Sequence, residues 1–415
     1  MKIAILSDRI PPENAGGAER VAWSLACALR DSGHAVHVIA ATAGPAFREV
    51  RAGIPTYHIS TQIPVRLRAW QGVYNPVALG PLRELFTEIH PDVVNAHNVH
   101  GALSWSALSV ARACGYPVVF TAHDLMTVAY GKLTHFVRKG LPYPLDPREY
   151  RLPVGYNLRT QRFRYNPARN AIIRRILNRC EVRICVSETQ REALVANGLT
   201  GVQVVYNGVD PAEFDRQVGD SAVYRAAILH DRPTALFAGR LNREKGSDWL
   251  FAAWPAVQRA VPEAQLLLLS RPESVASLQS RFPNVMANAI VGGWLSGRQL
   301  ASAFCAVDAV VVPSIFLESF PLVALEAMAA NKPVVASRIG GLGEIVEDHL
   351  TGLTVPVLDV DALSDALVQL FKSPSLAAAY GRAGRARLEA HFTLDRQVQR
   401  MLEVFQSAIT LRGAV

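Results

Sequence analysis

The sequence predicts an α/β protein of two domains, each a doubly wound parallel sheet with helices on its faces. Three observations carry that prediction. At 415 residues, a prior of about 150 residues per domain gives two or three domains. Short apolar runs alternate with amphipathic helical stretches, which is the rhythm of parallel β–α units. That rhythm lapses after Val128 and restarts at Thr234, separating a first block from a second.

Composition narrows the class. Half of the residues are apolar, enough for substantial cores. No apolar run approaches the ~18 residues of a membrane span. Only Ile3 to Leu6 lie between Met1-Lys2 and Asp8-Arg9, too short a run for a signal peptide. The five cysteines form no CxxC pair and are odd in number, which fits a reduced, cytoplasmic setting.

In chain order, Lys2 to Ser7 reads as a buried strand and Asp8 to Ala18 as a loop with two prolines and the pair Gly16-Gly17. Glu19 to Ser32 reads as a helix stopped by Gly33. Strand, glycine loop and helix in that order suit an anion, because glycine lets backbone amides approach it. Strands follow at Val36 to Ala41, Tyr57 to Ser60, Asp92 to Ala96 and Pro117 to Ala122, the last two ending at His97 and at His123-Asp124. Ligands bind at the C-terminal ends of strands in open α/β sheets. His97 and His100 have a metal-like spacing, but no third ligand lies nearby, so His97 is read as lining an acceptor side or satisfying backbone groups. Asp124 is read as orienting His123 or capping the next segment.

The stretch after Val128 is unlike the rest. Between Val128 and Arg179 there are twelve Lys and Arg against Asp146 and Glu149, a net +10 that leaves −2 for the remainder of a chain totalling +8. From Ala168 a helix is expected, with Ile172, Ile173, Ile176, Leu177 and Cys180 as its apolar stripe and Arg174, Arg175 and Arg179 beside it. Three readings stand together: a helix packed on the sheet with its arginines in water, an anionic membrane surface touched by 128–180, and a pocket for a phosphorylated acceptor. No nucleic-acid motif accompanies the charge, so nucleic acid is not an expected partner.

After the strand Ile184 to Ser187, the turn Asn207-Gly208-Val209-Asp210 closes the first block, and residues 211–231 read as a linker. The second block opens on Leu236 to Ala238, followed by Gly239-Arg240 and Lys245-Gly246. Two cations at a strand's C-terminal end can neutralise an anion, though such a pair alone is common on protein surfaces. Ala309 to Val346 then runs strand, loop and helix twice over. Pro321 is placed at the first helical position. Glu318 sits in the loop and Glu326 on the helix; Phe320 to Glu326 spans roughly 9 Å of helix axis. The positive helix end between the two acids suits an anion such as diphosphate. Asp359-Val360-Asp361 looks like a metal-binding DxD, yet Asp359 precedes Ala362-Leu363 as a helix cap would, so no metal ligand is assigned.

Pro313-Ser314, Glu318, Glu326-Ala327-Met328-Ala329, Pro333 to Ser337 and Gly340-Gly341 resemble, in spacing, the signature of the retaining glycosyltransferases of the two-Rossmann-domain (GT-B) type. That is the large family four, glycosyl transferases group 1, which includes lipid mannosyltransferases, sucrose synthases and glycogen-synthase-like enzymes. The resemblance covers nearly the whole chain, strongest from Arg232 to Val355 and weakest over 128–180. It implies an acceptor domain 1–210, a donor domain 232–390, a central cleft, and a last helix, 391–415, that returns to the first domain. It implies retaining transfer of a sugar, a hexose by expectation, from a nucleoside diphosphate sugar without metal or other cofactor. The acceptor is expected to be lipid-linked or a cell-surface polysaccharide precursor, with the enzyme cytoplasmic or peripheral on the inner membrane face. Under the resemblance, Arg240 and Lys245 stabilise the departing diphosphate with backbone groups near Gly16, Gly17, Gly239, Ser319, Phe320 and Leu322. Glu326 binds ribose, Glu318 binds sugar hydroxyls and His123 holds the sugar, with His97, Asp124 and Glu19 on the acceptor side. One departure stands out: many relatives have Gly-Phe-Gly-Leu where this chain has Ser319-Phe320-Pro321-Leu322, so one amide donor is lost, with Ser319 or the Leu322 amide left to compensate. The rival reading is a non-catalytic nucleotide-sugar-binding partner subunit.

Overall fold

The computed structural model describes residues 1–12, 16–219 and 221–414. The chain divides into two units: Met1–Leu133 with Pro147–Gly208 and Leu394–Val415, and Thr134–Asp146 with Val209–Thr393. Thr134–Asp146 thus groups with the second unit although it lies within the stretch read as the acceptor domain.

The first unit is built on eight strands: β1 (Lys2–Ser7), β2 (Ala35–Thr42), β3 (Phe47–Arg51), β4 (Ile54–Ser60), β5 (Val93–His97), β6 (Val118–Ala122), β7 (Val182–Cys185) and β8 (Val202–Val204). Their order is β3-β4-β2-β1-β5-β6-β7-β8. All neighbours pair in parallel except the edge strand β3, which runs antiparallel to β4. Strands covered on both faces read as near-continuous apolar runs, as β1 and β6 do, whereas β5 (VVNAH) is fully buried yet carries Asn95 and His97. The edge strand β3, FREVR, is largely exposed and polar, so its sequence carries no buried-strand signal.

The helix Leu394–Gly413 belongs to this unit. It buries Val398, Met401, Val404, Phe405 and Ala408 in one core with Ile3, Leu25, Leu29 and Val38. The apolar stripe at helical spacing is what places it there.

The second unit has six parallel strands: β9 (Thr234–Ala238), β10 (Gln265–Leu269), β11 (Ala289–Val291), β12 (Ala309–Val312), β13 (Val334–Ser337) and β14 (Gly352–Val355). Their order is β11-β10-β9-β12-β13-β14. Chain order reverses direction between β9 and β12, as it does between β1 and β5 in the first unit. Crevices at such reversals, at the carboxyl ends of the strands, are where ligands bind in open parallel sheets.

One local expectation changes, in 168–180, and one is met, at Asp359. The helix expected from Ala168 spans Arg169–Leu177 and buries Ile173 and Leu177, while Ile172 faces water. Arg169 is itself buried, because its guanidinium donates to the Met126 carbonyl at 2.5 Å and lies over the Tyr130 ring. Asp359 accepts a hydrogen bond from the Ala362 amide at 3.1 Å, as a cap of the helix Val360–Lys372.

Candidate active site

In the second unit, three strand ends meet around one carboxylate. The loop after β9 carries Gly239, Arg240 and a short 3-10 turn, Arg243–Lys245. Asn242 starts that turn by accepting the Lys245 amide at 3.0 Å, and Gly246 ends it at φ +75°. The Ile315 amide donates to the Glu244 carbonyl at 2.8 Å, tying the β12 loop to the β9 loop. Consequently the Lys245 ammonium is hydrogen-bonded to the Glu318 carboxylate, which also accepts from Ser314 at 2.7 Å. From the end of β13, Ser337 donates to the Ser314 carbonyl at 2.6 Å. Gly341 donates to the Glu318 carbonyl at 2.8 Å. Glu318 is 7% exposed, so its charge is compensated inside the protein and not by water.

The helix Leu322–Ala329 follows. Pro321 is its N-cap, with φ −75° and ψ 115°, and not its first helical residue. Its extended ψ turns the chain into the helix, and a missing N–H costs nothing outside the helical ladder. The Leu322 and Val323 amides have no hydrogen-bond acceptor among the described residues, whereas the Ala324 amide turns back to the Pro321 carbonyl. Open amides at a positive helix end form a ready anion site. Glu326, buried on the same helix, lies ~6 Å along the axis from Leu322. Phe320 packs edge-on against Phe392 and Ser319 is buried beside it. Arg240 is exposed and its side chain has no partner among the described residues.

The first unit carries a second polar cluster, at the ends of β1, β5 and β6. His97 Nδ1 lies 2.8 Å from His123 Nε2, and His97 Nε2 lies 2.6 Å from Asn95 Oδ1. Asn95 spends its amide hydrogens on the Val119 carbonyl and Thr121, so its Oδ1 must accept. His97 therefore donates from Nε2 and accepts at Nδ1, which obliges His123 to donate from Nε2. Neutral His123 is left with an acceptor lone pair on Nδ1, suited to a substrate hydroxyl. Burial drives both imidazoles toward neutrality, with His97 well below its ordinary value and His123 at about 4.

Of the two roles read for Asp124, orienting His123 or capping the next segment, its side chain makes the capping contact. Its Oδ2 contacts His100 Nε2 and Asn98 Nδ2, each at 3.2 Å, and its Oδ1 caps the Met126 amide at 2.8 Å. Burial would raise the Asp124 carboxyl, but His100 and these hydrogen bonds hold it well below the usual carboxylate range. Arg68 in turn donates to His100 Nδ1 at 2.6 Å. Asp8, at the end of β1, accepts the Leu103 amide at 2.8 Å, and burial raises its carboxyl. Burial also raises Glu19, in the first turn of the helix Gly17–Asp31 that Gly16 caps. Gln190, fully buried, donates to the carbonyls of Ala122 and Asp124 at 3.1 and 2.9 Å and so sets the β6 loop. Asp8, Asn95, Arg68 and Gln190 escaped the sequence reading: isolated polar residues announce themselves only through burial.

A pH dependence follows. The unfolded chain protonates His123 near its ordinary 6.5, whereas the folded chain waits until about 4. The unfolded state binds more protons between those values, so stability falls as pH drops through that window. Thermal unfolding at pH 5 is expected below that at pH 7.5, with a smaller gap in His123→Gln; an equal gap would contradict the assignment.

Both units therefore place polar clusters at sheet reversals, and the second pairs cationic groups with open helix-end amides, the equipment of a protein that handles a nucleoside diphosphate. Residues 232–373 match the family described as glycosyl transferases group 1, and residues 15–213 match glycosyltransferase family 4. Glycogen synthase of Mycobacterium tuberculosis is 26% identical over 98% of this chain and 95% of its own. Phosphatidyl-myo-inositol mannosyltransferase of Mycolicibacterium smegmatis is 27% identical over 95% and 91%. Sucrose-phosphate synthase of Thermosynechococcus elongatus shares the fold with TM-score 0.74 at 22% identity, covering 99% of each chain. The chain belongs to glycosyltransferase family 4: it is a retaining, nucleotide-sugar-dependent glycosyltransferase of the GT-B fold.

Proposed function

We propose that this enzyme transfers a hexose from a nucleoside diphosphate sugar to a lipid-linked or cell-surface glycan precursor, without a catalytic metal. The observation that carries the reading is the Lys245–Glu318–Ser314 cluster at the β9/β12 reversal, beside the open amides of Leu322 and Val323. Arg240, exposed and without a side-chain partner among the described residues, and the Lys245 ammonium take the charge that develops on the diphosphate as the glycosidic bond breaks. Gly239 supports close approach of that diphosphate, since no described atom lies within 4 Å of where its Cβ would be. Gly17 has the same open space, and with Gly16 it is assigned to the donor side. Glu318, its orientation set by Lys245 and Ser314, binds sugar hydroxyls. His123 accepts a sugar hydroxyl at Nδ1, with His97, Asp124 and Glu19 shaping the acceptor side. The leaving phosphate takes the acceptor proton.

Release of nucleoside diphosphate, measured with and without candidate acceptors, tests the reading. Acceptor-stimulated release is expected; donor binding with no release from any donor would overturn it. Glu326 is assigned to the ribose hydroxyls. Losing a hydrogen bond to a charged group costs about 1.5–3 kcal/mol, so Glu326→Ala is expected to weaken donor binding roughly 10- to 100-fold while kcat changes little. Calorimetry and initial rates separate the two.

Among the described residues no helix is long and apolar enough to cross a membrane. A peripheral association is proposed through 128–180, whose arginines at 148, 151, 159, 162, 164, 174, 175 and 179 are exposed. Flotation with anionic vesicles at low salt is the expected result, and failure to float would remove this part of the proposal.

A further inference from the structure

The first unit contains a groove of ≈ 540 Å³ away from the residues assigned to sugar transfer. Its walls come from the segment 151–158, the start of the helix Arg169–Leu177 and the end of the helix Glu188–Ala196. That volume lies in the range of sites for small molecules.

The walls are built, not incidental. Asn157 donates to the Val128 carbonyl at 3.1 Å and accepts the Tyr130 amide at 2.9 Å. Asn170 donates to the same carbonyl at 2.6 Å. Asn197 accepts the Leu152 amide and donates to the Tyr150 carbonyl, both at 2.9 Å. Asn157 also donates to the Tyr165 hydroxyl at 3.4 Å, and Asn170 accepts from Arg169 at 3.1 Å, so these amides hold the walls together. Two lining residues are charged, Arg151 and Arg174, and no Asp or Glu lines the groove. Arg151 has no side-chain partner among the described residues. Arg174 has a hydrogen bond to the Asn197 carbonyl at 3.4 Å, a long one. Two guanidinium forks without a carboxylate select an anion, and their planar geometry favours phosphate.

The segment that lines the groove and the turn that follows it in the chain add a second, independent observation. Val154 is 91% exposed and Phe163 86%, and Leu158, which lines the groove, is 44% exposed. Arg159, Arg162 and Arg164 are interleaved with them. Apolar tips among arginines suit the boundary between acyl chains and headgroups.

We propose that this groove is a headgroup site for a phosphate-bearing lipid, with Arg151 and Arg174 holding the phosphate and Val154, Leu158 and Phe163 entering the bilayer edge. It rests on the peripheral membrane reading above and sharpens it from general attraction to one occupied pocket. The pocket wall at Val128 is five residues beyond His123 in the chain.

Two measurements test it: calorimetric titration with dihexanoyl phosphatidic acid below its micelle concentration, and flotation on vesicles of phosphatidylglycerol and phosphatidylcholine. The wild-type chain is expected to bind the short-chain lipid. The double variant Arg151→Gln/Arg174→Gln should bind it roughly tenfold or more weakly with unchanged Tm. Val154→Asp/Phe163→Asp should reduce flotation and leave titration by the short-chain lipid in place. No short-chain binding, or binding unchanged in the arginine variant, overturns the pocket even where flotation persists. Short-chain binding without flotation overturns the membrane reading instead. Glycerol 3-phosphate binding as tightly as the lipid overturns the lipid assignment in favour of a soluble phosphate ester.

Discussion

Replacing Lys245 by Met is expected to lower kcat for sugar transfer by ~100- to 1,000-fold, the loss typical of removing one preorganised group that stabilises transition-state charge. The ammonium is held from three sides. Asn242 sets its backbone at 3.0 Å, Glu318 pairs with it, and its Nζ lies 5.3 Å from the Phe316 ring centroid. A group so placed needs no reorganisation as the diphosphate departs. Donor affinity should change far less than kcat, because much of the charge appears only as the bond breaks. Lys245→Arg keeps the charge but replaces a point-like ammonium by a planar fork, so it should recover part of the rate and not all. Steady-state release of nucleoside diphosphate with calorimetric donor binding checks both. An unchanged kcat in Lys245→Met would remove this residue from the reaction.

Gly246→Ala is expected to destabilise the second unit by ~3 kcal/mol or more. A Cβ at this position would stand 1.7 Å from the Pro313 carbonyl oxygen, and the backbone sits at φ +75°. Strain and overlap act together there, and the overlap is with backbone, which cannot rotate away. Relief requires the β9 loop to leave the β12 loop, which separates Lys245 from Glu318. Stability and turnover should therefore fall together, as read by urea unfolding and initial rates. Gly17→Ala makes the matching control for stability: no described atom lies within 4 Å of its would-be Cβ. Its unfolding midpoint should stay near that of the wild type. Equal midpoints for Gly246→Ala and wild type would show that the contact is not kept in solution.

Much of this protein is legible one segment at a time. β1, β6, β10 and β12 are largely apolar runs closed by polar or glycine signals. The last helix shows its buried stripe in its spacing, and Asp359 shows its cap by the residues that follow. The signature from Pro313 to Gly341 is compact enough to identify the family before any coordinates. Less was legible where a residue's role depends on distant chain. The edge strand β3 is polar because one side of it is open. Arg169 entered only as one of the twelve basic residues between Val128 and Arg179, yet it is buried because the Met126 carbonyl and the Tyr130 ring stand over it, some forty residues earlier in the chain. His123 drew attention as a lone strand-end imidazole, but its partner is His97 and the tautomer is set by Asn95.

The sequence alone determined the β–α units, their two blocks, the glycines that turn the loops and the residue types available at each strand end. Those are short-range matters of periodicity, capping and dihedral preference, carried by residues near one another in the chain. Tertiary structure alone decided that β9 lies beside β12 and β1 beside β5. That strand order puts Lys245 on Glu318, 73 residues away, and Asp8 on the amides of Gly101 and Leu103. Burial then does what sequence cannot express: it raises the Asp8 carboxyl and drives the His97 and His123 imidazoles toward neutrality.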